Sequence, residues 1–263
     1  MHNFQPKTLF LGKNTIYLPS CHSTNDIAAE IIQNKQVFDG TIVITADQTA
    51  GRGQRGNSWE ALPNQNITIS LIVKPDFLNV SQQFRLNIAV SLGIFDFLCK
   101  YLSDGLSIKW PNDVYIDNRK MGGVLIENTL SGSRIAYSII GIGLNINQLS
   151  FVDEKAISLR LASQKSGQQT DDFEIGKLIE QLCECIEKYY LQLKSGTSFN
   201  NHVEVQKKKY LERLFRFRET HNYIKNEQPF QGKIIDVADS GHLIMEVADE
   251  IVKLDFKEIS FVI

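Results

Sequence analysis

The chain has 263 residues, 43 % of them apolar and 22 % charged, with a formal charge of -2. That profile excludes a fibrous or disordered polymer, and the near-zero balance excludes a general attraction to nucleic acid or an acidic membrane surface, so any basic site has to be local. Four cysteines, Cys21, Cys99, Cys183 and Cys185, hold no C-x-x-C pair and read as reduced thiols; without an apolar leader or a run of about 18 apolar residues, the expectation is a cytoplasmic protein with no membrane partner.

NTIYLP, from residue 14, predicts a short strand leading into STNDIAAEIIQN, where Ser23 or Thr24 can cap a helix whose Ile27, Ala28 and Ile31 recur at helical spacing. GTIVITADQT is a β-branched run that reads as a buried strand, and NITISLIVKP alternates up to its proline. SQQFRLNIAVSLGIFDFLCKYL reads as an amphipathic helix. LSIKWPNDVYI, KMGGVLIENTL and RIAYSIIGIGLNIN follow as three successive strands. After the loop SQKSGQQTDD and around it lie two helical stretches, DDFEIGKLIEQLCECIEKYYLQL and SFNNHVEVQKKKYLERL. This order fits an α+β domain over residues 1–212, a mixed sheet with helices on one side. At about residue 213 the pattern changes. LFRFRE, PFQGKIIDVAD, HLIMEVAD, EIVKLDF and KEISFVI are short strands split by NEQ, DSG and DE, which predict a small β-barrel domain over 213–263.

Three segments carry chemistry. AGRGQRGNSWE, residues 50–60, follows a strand and packs glycines and arginines together. Closely spaced glycines let backbone N–H groups face an anion, and arginine adds a planar fork suited to phosphate or carboxylate. No helix follows and no G-K-[ST] ending appears, so this is neither a dinucleotide fingerprint nor a P-loop. Trp59 supplies a flat face for a base or ring system, which a solvated loop has no use for. In KWPNDVYIDNRKMGG, Lys109 ends a strand, Pro111 forces a turn, Asn112 and Asp113 stand as acceptors, and Lys120 returns before Gly122 and Gly123. An ordinary hairpin with solvated lysines is the bland alternative; the paired glycines instead suggest a close approach to the backbone. In GIGLNIN, Gly141 and Gly143 share a strand face with Asn145 and leave a groove there, a bulge being the structural alternative. Together they describe a flat slot over bare sheet, with a cationic loop above and two lysines and an aspartate at the rim. Such a slot suits a reaction between two anions.

STN, GRGQRGNSW, KWPNDVYI, KMGGVLIE and GIGLNIN, in that order and with the C-terminal strands, resemble the motif set of biotin–protein ligases over nearly the whole chain. The resemblance implies a class II synthetase-like mixed sheet with an SH3-like C-terminal barrel. It implies joining of biotin to ATP as biotinyl-5′-AMP with Mg²⁺, then transfer to a lysine of a biotin carboxyl carrier domain of a carboxylase. By that resemblance, Ser23, Thr24, Asn25 and Gln48 match biotin-binding positions, as do Gly51, Arg52 and Gly53 of the loop. Gly122, Gly123, Leu125, Gly141 and Gly143 match the pocket floor. Arg55, Gly56, Trp59, Lys109, Asn112 and Asn145 match nucleotide-binding positions, and Lys120 matches the contact to the reacting carboxylate and α-phosphate. Lys120, Arg52, Lys109 and Asp113 form the catalytic set. Three roles stay open for Asp113: orienting Lys109, holding Mg²⁺, or accepting the carrier lysine's proton.

Two departures stand out. Gln54 occupies a place where many relatives carry a second arginine, which implies one cation fewer on the adenylate, and the glutamate motif near the end lacks its usual arginine. Only 22 residues precede STN, too few for a helix-turn-helix module, so operator binding to DNA is not expected. Some family members pair through sheet edges, and the resemblance allows a homodimer. A lipoate–protein ligase is the enzyme alternative, which would need a longer apolar tunnel; a non-catalytic biotin or nucleotide sensor is the other, against which the lysine and aspartate cluster speaks.

Overall fold

The computed structural model describes residues 4–34, 37–165, 167, 171–195, 201–256 and 258–262. Parts of the expected loop at 163–172, the opening of the stretch at 198–214 and the first residue of KEISFVI therefore lie outside the described residues. The β-branched runs build a seven-stranded sheet. Its strands are β1 (Thr15–Cys21), β2 (Thr41–Gln48), β3 (Asn66–Val73), β4 (Leu106–Lys109), β5 (Asp113–Ile116), β6 (Arg119–Ser131) and β7 (Arg134–Asn145), in the spatial order β1-β2-β3-β7-β6-β5-β4. Helix α1 (Thr24–Asn34) crosses between β1 and β2, which are parallel; the other neighbours are antiparallel.

Alternation along the strands sorts their residues onto two faces. Ile42, Ile44, Ile67, Ile69, Leu71 and Leu144 belong to the main core, with buried residues of α2 (Phe84–Leu98) and α4 (Ile175–Ser195) and with Tyr210 of α5 (His202–Glu212). On the opposite face Val43, Ile72 and Ile139 pack with Ala28 of α1 in a smaller cluster. The helices thus occupy both faces, not one, because a crossover between parallel neighbours has to pass over a face of its own. α1 covers only part of its face. What it leaves bare becomes the site.

Two further expectations change. LSIKWPNDVYI is two strands, since Pro111 has no N–H for a ladder and the chain reverses there to pair Lys109 with Asp113. A short helix, α3 (Leu159–Lys165), sits where no element was expected.

The C-terminal strands are β8 (Thr220–Lys225), β9 (Gln228–Val237), β10 (Leu243–Val247), β11 (Glu250–Leu254) and β12 (Ser260–Phe261), an antiparallel sheet in the order β11-β10-β9-β8-β12. Its first strand is THNYIK and not LFRFRE, because Arg216 and Arg218 adopt φ of 62° and 61°, which no strand tolerates. LFRFRE serves instead as a joint: Leu214 bridges Ile108 of the large sheet and Phe217 bridges Ile234 of the small one. The hairpins close on left-handed pairs, Asn226 with Glu227 and Ala248 with Asp249. Tyr223, Ile234, Leu243 and Met245 join the main core, so both sheets share one apolar interior. All four cysteines are free, and no helix among the described residues is long and apolar enough to cross a membrane.

Candidate active site

Register lines up one residue from each of five strands. Thr68 lies opposite Gly143, Gly143 opposite Gly123, Gly123 opposite Asp113, and Asp113 opposite Lys109. Residues in such a row share a face. The row therefore runs from a hydroxyl, over two bare backbones, to a carboxylate and an ammonium. A parallel row, Ser70, Gly141 and Leu125, lies beside it. Over both rows lies a cleft of about 360 Å³.

Lys120 enters this cleft by way of an irregularity. Strict alternation would put it on the face opposite Gly123, three residues on. Between Val114 and Tyr115 the β5–β6 register shifts: Val114 pairs with Gly122, but Tyr115 pairs with Lys120. The extra residue, Met121, is fully buried. A bulge of this kind re-aims the side chains beyond it. Lys120 thereby faces the cleft, with its ammonium 2.7 Å from Asp113 Oδ1.

The glycine loop folds back on itself over the slot. Gly53 N–H donates to the Asn57 carbonyl at 2.7 Å, Trp59 N–H donates to that of Gly51 at 2.9 Å, and Arg52 bridges Ser58. The Trp59 indole lies against Gly143, where an added Cβ would stand 2.7 Å from its Nε1. That Nε1 is buried and has no hydrogen-bond partner. Arg52 pins the loop to the sheet, with two bonds to Glu127 at 3.0 and 2.9 Å and an ion pair to Asp26 at 2.6 Å. The Glu127 hydrogen bonds raise the Arg52 pKa further, against burial, which lowers it.

At the α1 end the cleft is polar. Gln48 Oε1 accepts from Thr24 N–H at 2.9 Å, and Ser70 donates to Asn25 Oδ1 at 2.6 Å. Asn25 donates in turn to Glu127 Oε2 at 2.6 Å. Gly141 has to be glycine for this: its Cβ would lie 3.0 Å from Asn25 Cγ. Ser23, Thr24 and Asn25 are all buried. At the other end burial lowers the Lys109 pKa, opposed by Asp113, and burial raises that of Tyr115. Asn112 is buried too, its amide donating to the Val124 carbonyl.

Of the residues singled out from sequence, Ser23, Thr24, Asn25, Gln48, Arg52, Gly53, Trp59, Lys109, Asn112, Asp113, Lys120, Gly123, Leu125, Gly141 and Gly143 line this one cleft. Four do not. Gly122 faces the core, its Cβ position 2.6 Å from the Gly143 carbonyl oxygen; Gly51 is covered by Trp59; Gly56 takes a left-handed turn, φ 81°, facing open space. Asn145 is buried along the strand from Gly143, donating to the Ile157 carbonyl at 3.3 Å, while its Oδ1 has no partner. The Arg55 side chain lies outside the described residues. Sequence reasoning missed Asp26 and Glu127, although both stand inside quoted motifs, and it missed Thr68 and Ser70, polar residues alternating in an otherwise apolar strand. It also missed Ser260 and Phe261 of β12 and, just before that strand, Phe256 and Ile259.

A model of the biotin/lipoate A/B protein ligase family matches residues 17–145, which contain every cleft residue of the large sheet. The bifunctional ligase/repressor BirA of Bacillus spizizenii is 33 % identical over 189 residues, 71 % of this chain and 57 % of that protein. The biotin–[acetyl-CoA-carboxylase] ligase of Paracoccus denitrificans is 33 % identical over 126 residues, 47 % of this chain and 52 % of that one. The chain thus spans little more than half the length of these curated relatives. Among solved structures, the biotin protein ligase from Aquifex aeolicus in complex with biotin and ATP is 25 % identical with a TM-score of 0.73, over 94 % of this chain and 98 % of that one. The fold, the motif order and the cleft thus agree in likening residues 17–145 to the biotin/lipoate A/B protein ligase family.

Proposed function

We propose that this protein is a biotin–protein ligase of the cytoplasm, acting in two steps. A biotin carboxylate oxygen attacks the α-phosphorus of ATP, giving biotinyl-5′-AMP and pyrophosphate. A carrier-domain lysine amine then attacks the biotinyl carbonyl, releasing AMP and forming the amide. The observation that carries this reading is the row from Thr68 to Lys109, a bare strip with a polar pocket at one end and two ammonium groups at the other.

In this reading Ser23, Thr24, Asn25 and Gln48 bind the ureido ring, the bare strip over Gly123 and Gly141 takes the body of biotin, and Arg52 closes the loop over it. Lys120 spans the carboxylate and α-phosphate, where fixed cations offset the repulsion of two approaching anions. Lys109 and Asn112 serve the phosphates. Trp59 Nε1 and Asn145 Oδ1, a donor and an acceptor buried without partners, are what a base edge would satisfy. Residues 1–212 are the catalytic unit in this scheme and 213–263 its appendage.

Among the described residues no three His, Cys, Asp or Glu gather as a metal site. Among the described residues lining the cleft, Asp113 alone offers a carboxylate, which fits Mg²⁺ arriving on the nucleotide, since that ion is commonly held by one carboxylate plus phosphates. Bound there, Mg²⁺ would supply charge neutralisation on the phosphates.

The test is incubation with ATP, Mg²⁺ and either biotin or lipoate, following adenylate, pyrophosphate and carrier-domain acylation by mass. Biotin-dependent pyrophosphate release and a biotinylated carrier are expected. Release with lipoate alone would move the protein to the other branch of that family, and none with either would reject catalysis.

A further inference from the structure

The small sheet grips the KWPND turn from two sides. Trp110 points into the core, where its Nε1 donates to the Gly241 carbonyl at 2.9 Å and its ring lies 6.5 Å from that of Phe256. Its neighbour Lys109 lies in the cleft, with its ammonium over two rings, 4.9 Å from the centroid of Tyr115 and 5.0 Å from that of Phe261. Both rings are braced. Phe215 packs against each of them, at 5.7 and 6.4 Å, and Tyr223 meets Phe261 edge-on at 5.1 Å.

An aromatic face within about 6 Å of a cation attracts it through the ring quadrupole, most strongly where water is excluded. Lys109 is in such a place, desolvated enough that its hold on the proton is weakened. Its flexible four-carbon stem would otherwise spread the charge over several rotamers. Tyr115 is close in sequence and on the same sheet, whereas Phe261 arrives from β12.

We propose that Phe261 is a positioning residue: with Tyr115 it cages the Lys109 ammonium and aims it at the anionic groups of the nucleotide, so that the small sheet completes the site it borders. This rests on the ligase reading and adds to it a residue that no motif of the large sheet contains.

The test uses the full chain with Phe261→Leu, which keeps apolar bulk but removes the ring, and Phe261→Tyr, which keeps the ring. In [¹³C]lysine-labelled protein, the Lys109 ε-methylene resonance is assigned by its loss in Lys109→Arg. It is expected upfield of the other lysines in the wild type and in F261Y, and back among them in F261L. Biotin-dependent ATP–pyrophosphate exchange is expected to lose about tenfold in kcat in F261L, with KM for biotin unchanged, and to stay within about twofold in F261Y. A wild-type resonance among the ordinary lysines overturns the proposal, as does wild-type kcat in F261L or an equal loss in F261Y. Should F261L fail to fold, the resonances of the wild type and F261Y decide. Absence of exchange in the wild type would instead count against the ligase reading, and the resonances would still decide the cage.

Discussion

Alanine at Gly122 and alanine at Gly143 add the same methyl to adjacent strands, yet they should damage different properties. At Gly122 the new carbon would stand 2.6 Å from the Gly143 carbonyl oxygen, about 1 Å inside an optimal contact of ~3.5 Å. The obstacle is backbone in the middle of the sheet, so relief requires moving β6 against β7, and overpacking of this kind costs ~1–3 kcal/mol. With ~2–4 °C lost per kcal/mol in a chain of this size, melting should fall by roughly 2–12 °C. At Gly143 the methyl would stand 2.7 Å from Trp59 Nε1, and the indole can relieve that by lifting off the strand. Melting should then change by about 2 °C or less, while KM for ATP rises about tenfold, equivalent to ~1.4 kcal/mol of lost base contact. Thermal melts and pyrophosphate exchange at varied ATP and biotin measure both. G143A with wild-type KM for ATP, or with the larger melting loss of the two, would refute the placement of the base against Trp59.

Lys120→Ala should cut adenylation by about 10²–10³ in kcat, since a charge-assisted contact to the developing charge is lost; wild-type rates would remove it from the chemistry. For Lys109 the sign runs through burial, which lowers its folded-state pKa below the ordinary 10.5. The unfolded chain binds more protons between those two values, so this desolvated ammonium costs stability at neutral pH, and the cost fades as pH climbs through the folded value toward 10.5. Adenylation should accordingly decline on the alkaline side before ordinary lysines titrate, and Lys109→Arg should carry that limb upward; a limb that stays put assigns it to another group. Gln54 lines the cleft as a neutral amide, so Gln54→Arg should slow escape of biotinyl-5′-AMP about tenfold, an effect of ~1.4 kcal/mol. Equal escape rates in rapid filtration would show that residue 54 does not face the phosphate.

Local pattern made much of the fold legible. The β-branched runs at 41–48 and 66–73 and the helix at 84–98 form where the pattern places them. The helix, however, is buried on nearly every side and not amphipathic, and the alternating strand 66–73 is buried on both faces, because neighbours cover each of them twice. LFRFRE failed as a strand for a reason that residue type hides: two arginines adopt left-handed φ at the joint between sheets, where tertiary contacts set the backbone. The carriers of long-range contact were equally hidden. Glu127 reads as an ordinary strand-end acid until Arg52 reaches it from the loop, and Phe261 reads as a barrel residue until Lys109 lies beneath it.

Lys120 shows where sequence reasoning about a strand stops. Gly141 and Gly143 declare their face by simple parity, and both line the cleft. Applied to KMGG, the same parity places Lys120 with Gly122 on the core side, away from Gly123, which would turn an ammonium into the apolar interior. One residue of register shift, taken up by the buried Met121, separates the pair: Gly122 stays with the core and Lys120 turns to Asp113. Since a slip of one residue exchanges the faces of everything beyond it, that bulge is as necessary to the cationic end of the cleft as the lysine itself. Deleting Met121 alone would leave Lys120, Gly122, Gly123 and Asp113 in the sequence and lose the geometry that joins them.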